Sequence, residues 1–106
     1  MASTFKNYVA SAVGTSANTL CTSPGQTTLI GMSIANIIAA PVTVDVYVTI
    51  SAANYYLVKG ATVPVGGSLV PIGGDQKVVL ETGDAIKVVS STASSVDVIV
   101  STLEIT

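Results

Sequence analysis

From Val42 to Ile50 the chain alternates without a break. Val42, Val44, Val46, Val48 and Ile50 are β-branched aliphatics, and Thr43, Asp45, Tyr47 and Thr49 sit between them. Successive side chains of a strand point to opposite faces. This stretch therefore predicts a strand with one face buried and the other in water or against a partner. Residues 27–35 alternate less strictly, with Ile30, Met32 and Ile34 set against Gly31 and Ser33. Shorter strand patterns follow at 55–59, after a turn at 51–54, and at 62–65 and 68–72 on either side of Gly66-Gly67. Two more lie at 77–81 and 85–90, around the turn signal Thr82-Gly83-Asp84. Residues 96–105 place Val96, Val98 and Val100 on one face and Ile99, Leu103 and Ile105 on the other. Either both faces are covered or a bulge switches them. Weaker strand patterns lie at 6–13 and 18–22.

About eight short strands with Gly, Pro, Ser and Asn between them fit a chain of about 100 residues as one domain. The expectation is an all-β fold, a single antiparallel β-sandwich of jelly-roll-like or Ig-like kind. Residues 1–15 form an N-terminal arm or a first strand, and 16–106 form the sandwich. Helical periodicity is confined to one turn's worth of residues, Ile34, Ile37 and Ile38, ahead of Pro41. The apolar stretch 29–50 is long enough to raise the question of a membrane span. Asn36, Pro41 and Asp45 interrupt it, so it reads as two strands joined by a turn, and no membrane is expected as a partner.

Composition sharpens this picture. Hydrophobic residues are 49 % of the chain and charged ones only 9 %, against roughly 25 % charged in an ordinary soluble domain. Either Ser and Thr cover the outside or surface is hidden against other chains, and the composition supports both. The only cations are Lys6, Lys59, Lys77 and Lys87, and the net charge is −2. Nucleic-acid binding neutralises several phosphates at once, and four scattered lysines in an acidic chain do not supply that. Cys21 is the single cysteine, so no internal disulfide forms, and it reads as a small apolar residue in or near the core. The N-terminal residues lack a basic region followed by an apolar run, so synthesis and assembly in the cytoplasm are expected.

Candidate chemistry is sparse. There is no His, which removes the commonest acid–base group and the commonest transition-metal ligand. Neither a Ser-His-Asp nor a Cys-His arrangement is possible, and no metal or other cofactor is expected. Asp75, Glu81 and Asp84 are close in sequence, but Asp75 and Asp84 occupy turns, where Asp bonds its own backbone and is solvated. Gly66-Gly67-Ser68 and Gly73-Gly74 lack the Lys and following helix of a phosphate loop and read as turns or bulges. The chain is not expected to be an enzyme. Tyr47, Tyr55 and Tyr56 are the candidate partner-contact residues. One reading packs one ring of the Tyr55-Tyr56 pair in the core and leaves the other outside. The other reading joins Tyr47 with one of the pair as an exposed platform for a partner chain or a sugar.

Several segments carry a resemblance. They are Tyr56-Leu57-Val58-Lys59-Gly60, Val63-Pro64-Val65-Gly66-Gly67-Ser68-Leu69, Lys77-Val78-Val79-Leu80-Glu81-Thr82-Gly83-Asp84 and Ser94-Ser95-Val96-Asp97-Val98-Ile99-Val100-Ser101, with Lys6-Asn7-Tyr8 and Gly14-Thr15-Ser16 near the start. In these the chain resembles small structural proteins of tailed bacteriophages, including those of cyanobacteria and other marine bacteria. The likeness spans most of the chain and consists of strand and turn patterns. It implies a β-sandwich subunit present in many copies on a virion, with no active site to carry over. The leading expectation is a capsid decoration (cement) subunit, homo-oligomeric and packed against other virion proteins. It would be assembled in the host cytoplasm and located on the particle. The alternatives are a neck, tail or fibre component, and a carbohydrate-binding sandwich.

Overall fold

A computed structural model describes residues 3–73 and 76–105. These residues form nine strands: β1 (Ser3–Val13), β2 (Asn18–Thr22), β3 (Gln26–Asn36), β4 (Val42–Ile50), β5 (Ala53–Val63), β6 (Ser68–Ile72), β7 (Val78–Leu80), β8 (Ala85–Ser90) and β9 (Val96–Ile105). All pairings are antiparallel. One sheet has the order β1-β9-β3-β6, with β7 also paired to β3, and the other has the order β2-β8-β4-β5. The chain is an all-β sandwich.

The pairings nest: β1 with β9, β2 with β8, β3 with β6 and β7, β4 with β5. That is one long antiparallel ribbon whose successive pairs fall alternately into the two sheets, the strand order of a jelly roll. β6 meets β3 at Met32, Ile34 and Ala35, while β7 meets it at Thr27, Thr28 and Leu29. Together they fill one strand position, interrupted near the Gly73–Gln76 bridge. An Ig-like order is thereby excluded.

The alternation of β4 places Val42, Val44, Val46 and Val48 in the core, while Ile50 emerges at the hairpin end, 37 % exposed. β9 keeps strict alternation: Val96, Val98, Val100, Thr102 and Glu104 all face inward. No bulge switches its faces, because the irregularities lie in its neighbours, between Ala10 and Val13 and between Leu29 and Gly31. The second of these puts Leu29, not Ile30, on the buried side with Met32 and Ile34. Strand patterns at 55–59 and 62–65 merge into the single β5, which turns through Gly60 at φ 67°. The turn expected at 51–54 shrinks to Ser51 and Ala52, since Ala53 already pairs with Ile50. The residues around Ile34 belong to β3 and form no helical turn. None of the described residues forms a helix long and apolar enough to cross a membrane.

Leu29, Ile34, Ile72, Leu80, Ile86 and seven valines are the largest fully buried side chains. No aromatic ring is among them. Branched aliphatics fill the thin layer between two sheets in few rotamers, which suits a stiff domain. Cys21 is buried in this cluster. Polar ties close both ends. Asn36 donates from Nδ2 to Ala40 O at 2.8 Å and Val63 O at 3.1 Å, and its Oδ1 accepts from the Ile38 N–H at 2.9 Å. Ser23 N donates to Asp84 O at 2.8 Å, and Gly83 N to Ser23 O at 2.9 Å, joining two loops.

Candidate partner-contact surfaces

The two sheets present unlike outer faces. On β2-β8-β4-β5 the centre is polar and aromatic. Tyr47 lies between Tyr56 on β5 and Lys87 on β8, both directly opposite it. Its ring centroid is 5.0 Å from that of Tyr56, at 42°. Lys59 Nζ stands 4.4 Å over the Tyr56 ring and 3.9 Å from Asp45 Oδ2. Asp45 Oδ1 accepts from the Gly60 N–H at 2.7 Å, holding the β5 bend.

This geometry changes the picture of the tyrosines. Tyr47 is 8 % exposed, because its neighbours on the same face cover it, and it lies outside the apolar core cluster. It cannot offer a flat ring to a partner. Tyr55 and Tyr56 are 58 % and 45 % exposed, so neither packs in the core. Tyr55 pairs with Val48 near the hairpin end. The three residues do not form one platform: two rings stack on the outer face and Tyr55 stands apart on the opposite side of its strand.

The outer face of β1-β9-β3-β6 differs in kind. Strand register sets its side chains in rows. One row runs Phe5, Leu103, Thr28 and Val79; the next Asn7, Ser101 and Gly31; the third Val9, Ile99 and Ser33. Phe5, Val9, Val79 and Ile99 are 75 %, 68 %, 64 % and 53 % exposed, and Val70 on β6 is 60 % exposed. Among the outward positions paired across β1, β9 and β3, Asp97 is the one charge. It lies at one end, with Oδ1 accepting from the Ala12 N–H at 2.8 Å. Sequence reading put Ile99, Leu103 and Ile105 on one side of a strand but missed Phe5, Val9, Val70 and Val79. The signal was the outward position of each in its own strand, which only the cross-strand register assembles into rows.

A third feature lies at the mouth between the sheets. Glu104 is 3 % exposed, and Tyr8 donates its hydroxyl to Oε2. Thr102 Oγ1 lies 3.4 Å from the same oxygen, and Lys6 Nζ lies 3.9 Å from Oε1. The bond to Glu104, then burial, hold the Tyr8 hydroxyl well above its usual pKa. Burial, with a further push from the Glu104 charge, raises the Cys21 thiol, against the bond from Tyr8. Both groups keep their protons at neutral pH, so neither is an activated nucleophile. Asp84 is buried, not solvated, and its Oδ2 accepts from the Glu81 N–H at 2.9 Å, so it does bond its own turn. Asp75 lies outside the described residues. Among the described residues no three Cys, Asp or Glu side chains gather as a metal site.

Comparison with protein-family models, curated proteins and solved structures returns no match to this chain.

Proposed function

We propose that this chain is a structural protein of a tailed-bacteriophage virion, a decoration or cement subunit that stabilises the particle by packing against neighbouring subunits. The outer face of β1-β9-β3-β6 carries the proposal. Monomeric soluble proteins rarely expose contiguous apolar patches beyond a few hundred Å², and larger ones mark surfaces that other molecules cover. Here Phe5, Val9, Val79 and Ile99 stand exposed on one face, on a stiff support of nested strands. The jelly-roll order supports the reading without deciding it, since that architecture serves capsid proteins, lectins and enzymes alike.

The same surface suits a neck, tail or fibre subunit of the particle. Copy number separates the two positions, being high for a capsid-wide layer and low for a ring at one vertex. Quantitative mass spectrometry of purified particles tests the proposal. The chain is expected in high copy, in stoichiometry with the major capsid protein. Its absence from washed particles would overturn the proposal. The second reading, a carbohydrate-binding module, draws on the exposed Tyr55 and Tyr56 rings and the cation over Tyr56. A glycan array with no signal for the purified chain removes it.

A further inference from the structure

We infer that the apolar face of β1-β9-β3-β6 is covered by a second copy of this chain, the two sheets packing back to back about a two-fold axis. The inference deepens the virion reading by naming the partner of that face, and leaves the hairpin end and the Lys59-bearing sheet for other contacts.

The rows supply the first argument. Asn7, Ser101 and Gly31 make a low row between the row of Phe5, Leu103, Thr28 and Val79 and the row of Val9, Ile99 and Ser33, whose larger apolar side chains lie on β1, β9 and β7. A two-fold axis lying along the low row sets the row of Phe5 and Leu103 of one copy against the row of Val9 and Ile99 of the other. Phe5 then meets Val9 and Leu103 meets Ile99 on both sides of the axis, the self-complementary pairing of an isologous interface. Sheets packed in this way lie about 10 Å apart, with strand directions offset by their twist.

Charge supplies the second. Across β1, β9 and β3 the described outward positions carry one charge, Asp97, itself bonded to Ala12 N–H, so the middle of the face has little with which to select a charged partner. It is complementary to another uncharged face, and a second copy brings one in matching shape. Two copies of net charge −2 repel only weakly. Area supplies the third. Four strand positions about 4.8 Å apart, with about ten residues at 3.3 Å, give roughly 600 Å² in plan. Side-chain relief raises that towards the roughly 800 Å² per partner typical of a stable complex.

Sedimentation equilibrium of the full chain tests this, with Ile99→Lys and Tyr55→Lys beside it. The wild-type chain and Tyr55→Lys are expected as dimers and Ile99→Lys as a folded monomer, its dissociation constant raised at least a hundredfold. A Ser101→Cys chain provides an independent reading should Ile99→Lys fail to fold. A short bismaleimide is expected to link two copies through this position, since Cys21 is buried. A wild-type chain that stays monomeric at high micromolar concentration overturns the inference, as does a dimer that Ile99→Lys leaves intact. A monomeric chain still found in high copy on particles would sink the dimer and spare the virion reading. A dimer absent from particles would do the reverse.

Discussion

At Val46 a valine side chain sits at zero exposure between the two sheets. Val46→Asp places an unpaired carboxylate there at a cost of several kcal/mol, comparable with the whole stability of a small domain. The chain is expected to lose its β-sheet circular dichroism, and a folded Val46→Asp protein would show this strand to face the other way. Tyr8 offers a subtler test, because its proton is part of the fold. Its folded pKa lies above the unfolded value near 10, so the contribution is complete below pH 10 and is lost as pH rises beyond it. Cys21, raised in the same sense, begins to lose its contribution near pH 9. Urea midpoints should fall from pH 9 upwards, and Tyr8→Phe should flatten the part above pH 10. At neutral pH Tyr8→Phe is expected to cost about 1–3 kcal/mol, since it takes a donor from a buried carboxylate. The inward valines were legible as residues because their period is 2. The Tyr8–Glu104 contact was not, because 96 positions separate its partners and polar side chains on an inner face read as outward ones.

Within the elements, the β4–β5 hairpin turns on Ser51 and Ala52 at φ 51° and 67°, where side chains are strained and Asn-Gly is preferred. Ala52→Gly is expected to raise stability by about 1 kcal/mol, read as a higher urea midpoint with unchanged slope. Gly60→Ala should lower it by about 1–2 kcal/mol, because Gly60 holds φ 67°. A rise with Gly60→Ala would mean that the β5 bend relaxes in solution. β4 and β9 were readable from alternation alone, to the residue. β5 read as two strands because Gly60-Ala61 breaks the period, whereas the Asp45 bond to Gly60 N–H carries the strand through the bend. β3 slipped by one position for a related reason: its bulge near Gly31 restarts the alternation, and a bulge has no fixed sequence mark.

On the scale of the whole molecule, the sandwich was legible and its winding was not. Turn spacing and alternation announce two packed sheets, but the choice of partner for each strand depends on contacts far apart in the chain, β1 with β9 above all. The surface followed the same division. Low charge left two readings, a Ser/Thr-covered outside or a hidden face, and the register shows which outer face is apolar: that of the sheet carrying Phe5, Val9 and Ile99, not that of the sheet carrying Tyr47. The most direct test of the account is a cryo-electron microscopy map of the particle on which the chain is proposed to sit. The account predicts a jelly roll whose β1-β9-β3-β6 outer face is covered by protein. A map in which Phe5 and Ile99 face open solvent, or in which no such domain is present, would contradict it.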